Sequence, residues 1–288
     1  MNILYLVIGK NPLYHVQTYF SICSFLRQTD IHDRVYVMTD APEFYERLRD
    51  KSNVIQINEA QLKDWQGEFK FFWRAKIKVL EHICTLHPTE SVLYLDTDTF
   101  LFGSLNMLKS ELKSPIMHLN EGKLSQRKSK TEKRMWQDVK NKVFGGIIIE
   151  EKHCMWNAGV VGIPANEGLK VCKLALTICD EMLVEKVTPY FIEQFSSSLA
   201  LSENGNIGAG DKYIAHYWSN KDEWTDEIYQ FMITSTLKNN TVEDDIEAMS
   251  SFNFGKNAVL KRTPNTQIRL KKLVEKWFPS INKKFIVE

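Results

Sequence analysis

Two aspartates separated by one residue, Asp96 and Asp98, follow the apolar run Val92-Leu93-Tyr94-Leu95. Side chains two apart in an extended chain project to the same side. Carboxylates placed that close repel one another. A divalent cation removes the repulsion and leaves open positions for phosphate oxygens. A solvated turn can also carry two acids, but it needs no fully apolar segment directly before it. A lone histidine is commonly structural, yet His216, predicted at a strand end, has the right chemistry for a third ligand, since imidazole suits manganese alongside carboxylates.

These groups need a scaffold that brings distant segments to one edge. The first hundred residues alternate short apolar runs with longer amphipathic ones. Strands are predicted at Asn2 to Ile8, Arg34 to Met38, Asn53 to Ile57 and Ser91 to Leu95. Helices are predicted at Leu13 to Arg27, Pro42 to Arg49 and Phe69 to Leu86. That alternation predicts an α/β fold with a mixed, mostly parallel central sheet. Ligands of such sheets bind beyond the carboxyl ends of the strands. Asp96 and Asp98 lie at one such end, and Asp40 follows the second strand. In the second half, strands are expected at Ile116 to Leu119, Phe144 to Ile149, Ala158 to Ile163 and Lys212 to Ala215. Helices are expected at Glu167 to Glu185, Tyr190 to Leu201 and Gln267 to Trp277. Gly122 to Lys142 is strongly basic and poorly patterned, and reads either as a mobile element near the active site or as a solvated surface excursion.

Asp96-Thr97-Asp98 resembles the DxD motif of nucleotide-diphospho-sugar glycosyltransferases with the GT-A fold. The resemblance extends to Ala75-Lys76 upstream and, in order, to Asn157-Ala158-Gly159, Glu193-Gln194 and His216 downstream. It is similar to the pattern of the glycogenin-like and bacterial galactosyltransferase-like groups and covers roughly residues 1 to 224. It implies that Asp96, Asp98 and His216 hold Mn2+ or Mg2+, and that the donor is a nucleotide-sugar, with UDP as its nucleotide. It also implies that Lys76, or else Arg74, faces the donor, with Thr97, Asp40 and Lys221 beside it, while Asn157, Glu193 and Gln194 contact sugar. The chain departs from the pattern in three places. Glu193 stands for an aspartate, Ser219 stands where a glycine is common, and Lys221 arrives one residue early. The retaining groups are the better match. The implied acceptor is a glycan or a lipid-linked glycan, in surface polysaccharide assembly.

Three alternatives share parts of this pattern. A haloacid-dehalogenase-type phosphatase also has an apolar strand before DxD, but usually carries Thr or Val where Phe100 stands, and its motif lies nearer the start of its domain. A sugar nucleotidyltransferase usually has a Gly-rich loop after its first strand, and Gly9-Lys10-Asn11-Pro12 is a poor one. A non-catalytic nucleotide- or sugar-binding module would bind without turnover.

Composition sets outer limits. The 288 residues carry a net charge of +1. From Lys256 to Glu288 the local charge is +7, which leaves −6 for the remainder. A neutral whole with a basic tail argues against a nucleic-acid partner. The tail reads as an amphipathic helix, either lying on an anionic membrane surface or packed on the catalytic domain with Trp277 and Phe278 buried. The expected division is a catalytic domain over 1–255, with halves 1–100 and 101–255, followed by a basic helical tail over 256–288. The five cysteines are scattered and read as buried apolar residues of a reducing compartment. The first apolar run is too short for a signal core, so the expectation is a cytoplasmic protein, at most peripheral on the membrane.

Overall fold

The computed structural model describes residues 1–261 and 265–278. The first half follows the predicted alternation, with one unpredicted helix, α2, after the third strand: β1 (Asn2–Val7), α1 (Pro12–Leu26), β2 (Arg34–Thr39), β3 (Asn53–Gln56), α2 (Glu59–Gln66), α3 (Arg74–Leu86) and β4 (Val92–Leu95). Pro42–Leu48 is helical as expected, but as a 3-10 helix. The second half continues with β5 (Thr99–Leu101), α4 (Leu105–Glu111), β6 (Ile116–Met117), β7 (Asn120–Lys123), α5 (Lys130–Val139), β8 (Val143–Phe144), β9 (Ile147–Ile148), β10 (Cys154–Trp156) and β11 (Val160–Ile163). The remaining elements are α6 (Gly168–Val184), α7 (Ile192–Ser202), β12 (Gly208–Ala209), β13 (Ile214–His216), α8 (Lys221–Lys238), α9 (Val242–Ser251) and α10 (Asn265–Trp277).

Seven strands form one sheet in the order β12-β6-β11-β4-β1-β2-β3. All its neighbours pair in parallel except β11, which runs antiparallel to both β4 and β6. This reversal matters for the site. The carboxyl ends of β1, β2 and β4 share one edge, and the amino end of β11 joins them there. Its entry loop, Asn157-Ala158-Gly159, therefore meets Asp96 directly, whose amide donates to the Gly159 carbonyl at 2.9 Å. β1 and β4 are buried on both faces, as strands sandwiched between helix layers must be. Leu4, Ile83 and Cys179 pack in the core on one side, and Phe20, Phe100 and Trp224 on the other.

Several expectations are corrected. Phe144 to Ile149 is not one strand. Gly145 and Gly146, at φ 57° and 79°, turn it into the tight hairpin of β8 and β9. Helix α3 begins at Arg74, so Phe69 to Trp73 stay outside it as an aromatic turn. The basic segment is not featureless. It contains β7 and α5, and α5 buries Met135 and Val139 and is capped by Ser129, whose hydroxyl accepts from the Glu132 amide. Trp277 and Phe278, expected in the core if α10 packs on the domain, are exposed, as are Leu270 and Leu273. The chain from 256 to 261 runs back against α8. There the Ala258 carbonyl accepts from Asn220 and Trp224, and Lys261 pairs with Glu223. Cys23, Cys84, Cys172 and Cys179 are buried free thiols, whereas Cys154 is half-buried. Among the described residues no helix is long and apolar enough to cross a membrane.

Candidate active site

Two strand pairings build the acidic centre. β4 delivers Asp96 to the carboxyl edge of the sheet, and the chain turns at once into β5. β5 pairs antiparallel with β13, setting His216 opposite Thr99. The Tyr217 amide donates to the Asp98 carbonyl at 3.1 Å and locks that register. As a result Asp96, Asp98 and His216 offer ligand atoms within 4.8 Å of one another. The imidazole Nε2 lies 3.3 Å from Asp98 Oδ1 and 4.0 Å from Asp96 Oδ2.

Asn157 sets the imidazole. Its Oδ1 accepts from the Gly159 amide at 3.0 Å and lies 2.9 Å from His216 Nδ1. An amide oxygen can only accept, so Nδ1 carries a proton, and Nε2 is the nitrogen that faces the carboxylates and is left to meet a cation. Fixing the tautomer through the far nitrogen is how metal-binding histidines are prepared. Gly159 is required by the same contact: a Cβ there would stand 2.2 Å from the His216 ring. The group that approaches this glycine so closely is the histidine. Two carboxylates and an oriented imidazole are a fitting donor set for Mn2+ or Mg2+.

Positive side chains balance the acids. Lys76 is almost wholly buried at the start of α3. Its Nζ donates to Asp96 Oδ1 at 3.1 Å and to the Ala158 carbonyl at 2.6 Å, and lies 3.6 Å from Glu193 Oε1. Burial would lower this ammonium, but Asp96 and Glu193 outweigh it and raise its pKa. Lys221 Nζ lies 2.8 Å from Asp98 Oδ2. Burial would raise the Asp98 carboxyl, but His216 and Lys221 hold it well below the usual range. Glu193 goes the other way. Burial lifts it to about 7 against the pull of Lys76, and its Oε1 has no hydrogen-bond partner.

These groups open into one cleft of about 550 Å³, lined by Lys76, Asp96, Asn157, Glu193, Gln194 and His216. Phe72, Trp73 and Tyr190 form an aromatic wall on it, partly or largely exposed. The Phe-Phe-Trp run was visible in the sequence but was absorbed into a predicted helix. Glu121, on β7, left no signal, yet it accepts from Gln194 Nε2 at 3.3 Å and from Asn157 Nδ2 at 3.5 Å. Asp40 reaches the same sheet edge but is engaged by the Gly9 amide at 2.8 Å. Thr97 is half-buried between the two aspartates. Arg74 is not in the cleft. It points to the other side of α3, where it makes a two-point ion pair with Asp180 at 2.7 and 2.9 Å and donates to the Trp65 carbonyl. One turn position separates it from Lys76, and on a helix residues two apart face different ways.

No protein-family model matches the chain, and no curated protein does. Solved structures do. The galactosyltransferase LgtC in complex with donor and acceptor sugar analogues is similar with a TM-score of 0.54 at 14% identity, covering 93% of this chain and 99% of that one. The chain has the GT-A fold. An active-site mutant of LgtC gives 0.48 at 17% identity, covering 73% and 72% of the two chains. Mouse xyloside xylosyltransferase 1 in its apo form gives 0.46 at 13%, covering 73% and 85%. In this GT-A chain the predicted DxD aspartates lie at the carboxyl edge of the sheet, and all the predicted site residues but Arg74 cluster at or near that edge.

Proposed function

We propose that the chain is a divalent-metal-dependent glycosyltransferase that moves a sugar from a nucleotide-diphosphate sugar, a UDP-sugar by preference, to a glycan or lipid-linked acceptor. The observation that carries this reading is the Asp96-Asp98-His216 trio, gathered from segments about 120 residues apart in sequence and opening on a polar cleft. Bound there, Mn2+ or Mg2+ supplies a Lewis acid for the diphosphate leaving group. Asn157 holds the imidazole in the tautomer that leaves Nε2 free. Lys221, half exposed beside Asp98, presents an ammonium to any anion at that edge. Lys76 is committed to Asp96, Ala158 and Glu193, so its part is to hold the acids in place rather than to meet a ligand itself. Glu193, poised near neutrality, divides between carboxylic acid and carboxylate and can donate or accept a hydrogen bond with a sugar hydroxyl. Gln194 and Glu121 would orient the transferred sugar or the acceptor. Retention of configuration is our reading, since the Glu193-Gln194 pair and the late histidine resemble the retaining groups.

The exposed helix α10 supports a place at the inner face of a membrane, in assembly of a surface polysaccharide. Trp277, Phe278, Leu270 and Leu273 are exposed together with Arg269, Lys271, Lys272 and Lys276. Each cation near an anionic bilayer adds roughly 1 kcal/mol before screening. Co-sedimentation with anionic but not neutral vesicles, lost on deletion from Asn265, is the expected result; indifference to both removes this placement.

The catalytic reading is tested by screening nucleotide-sugars for hydrolysis without acceptor, with and without manganese. Metal-dependent release of one nucleoside diphosphate names the donor. Binding of nucleotide with no turnover of any donor would replace the enzyme with a binding module.

A further inference from the structure

The segment from Gly122 to Lys142 carries more positive charge than the cleft uses. Among the described residues Lys123, Lys128, Lys130, Lys133, Arg134 and Lys140 are exposed and make no ion pair. Lys130, Lys133 and Arg134 fall on one face of α5 at helical spacing, with Lys140 just past its end. Met135 and Val139 bury the opposite face. Unlike α10, this face exposes no large apolar side chain. It therefore has the charge for an anion but not the apolar surface that an interfacial helix inserts into lipid.

This basic face is joined to the cleft by a chain of polar contacts. Arg127 pairs with Glu132 at the start of α5 and donates to the Glu121 carbonyl at 2.6 Å. It also reaches the Glu121 carboxylate at 3.3 Å. Glu121 in turn holds Gln194 and Asn157. The helix that carries the cations is thus tied through Arg127 and Glu121 to two residues that line the cleft, Gln194 and Asn157. We infer that this face docks an anionic glycan, a chain bearing carboxylate, sulfate or phosphate groups, and feeds its end to the cleft as acceptor. The inference rests on the glycosyltransferase reading for the word acceptor, while the docking face itself can be tested without turnover.

The probe is a fluorescent heparin hexasaccharide, with maltohexaose as the neutral control. Anisotropy is read at low and at physiological salt. The variant carries Lys130→Gln, Lys133→Gln and Arg134→Gln, all exposed and outside the catalytic machinery. The expected result is binding of the anionic probe alone, weakened on the order of a hundredfold in the variant, roughly fivefold per cation. Its salt dependence should become shallower while donor hydrolysis is unchanged. Equal binding of the neutral sugar, or unaltered heparin binding by the variant, overturns the inference. So does stronger competition by anionic vesicles or by a single-stranded oligonucleotide of equal charge. Patch-dependent heparin binding by a protein that turns over no donor supports the docking face and fails the enzyme reading instead.

Discussion

Replacing Glu193 with glutamine separates the cost of burying its charge from everything else in the cleft. The carboxyl is buried, its Oε1 has no hydrogen-bond partner, and its pKa is pushed from the ordinary 4.5 up to about 7. A carboxyl raised on folding binds more protons in the native than in the unfolded state between those values. Its contribution to stability is therefore full below about pH 4.5 and is lost as pH rises through about 7. At 1.36 kcal/mol per pKa unit, the loss between pH 5 and pH 8 comes to about 2.5 kcal/mol. Urea denaturation without added metal should be followed at pH 5, 6, 7 and 8 for both proteins. The difference in unfolding free energy should move in favour of Glu193→Gln by about 2 to 3 kcal/mol across that range. Taking the difference cancels groups that titrate alike in both proteins, Asp98 among them. A difference flat to within about 0.5 kcal/mol would mean that Glu193 is ionised throughout, held by Lys76, and is not poised near neutrality.

Asp98→Asn should lower metal-dependent donor turnover by on the order of a thousandfold, and activity within a few-fold of wild type at saturating manganese would refute the metal site. The same change should also lower the melting temperature of the metal-free protein. Repulsion between the two carboxylates suggested the opposite, but His216 and Lys221 already compensate Asp98. Gly159→Ala should push the His216 ring aside and weaken manganese affinity by roughly tenfold or more, as loss of ligand orientation does; an unchanged manganese titration would show that the ring is not held there. Arg74→Ala should cost about 1 kcal/mol through the partly exposed Asp180 pair and leave the KM for donor unaltered, whereas a large rise in that KM would return Arg74 to the site.

The sheet was legible in the first half because each strand is a short apolar run bounded by turn residues, from Asn2–Val7 to Val92–Leu95. Asp96 and Asp98 could be read because a buried strand leaves only its end free for charge. His216 could be ranked, but its partner could not. That β13 pairs with β5 is a long-range fact, and nothing local to Ile214–His216 encodes it. Arg74 and Lys76 differ by two positions, and sequence alone could not settle which faces the cleft. The helices α8 and α9 left no reading at all. α8 buries little beyond Trp224, Ile228 and Ser235, so its apolar periodicity is faint. Glu121 was invisible because a single acid on a four-residue strand matters only through Asn157 and Gln194, which come from elsewhere.

The dependence of the acidic centre on β13 has a consequence for how the chain is made. Asp98 leaves the ribosome about 118 residues before His216. At about 5 to 20 residues per second, the carboxylates wait roughly 6 to 24 s for their imidazole. Lys76 precedes them and can already neutralise Asp96, whereas Asp98 has neither His216 nor Lys221 until the end of that interval. If the trio holds a cation as proposed, a nascent chain lacks the third ligand for tight capture until β13 has been added. The last piece of the centre is delivered by a strand that can dock only after β5 is in place. On the proposed metal site, tight binding would report that synthesis has passed residue 216, and a truncated product lacking β13 should bind manganese more weakly than the full chain.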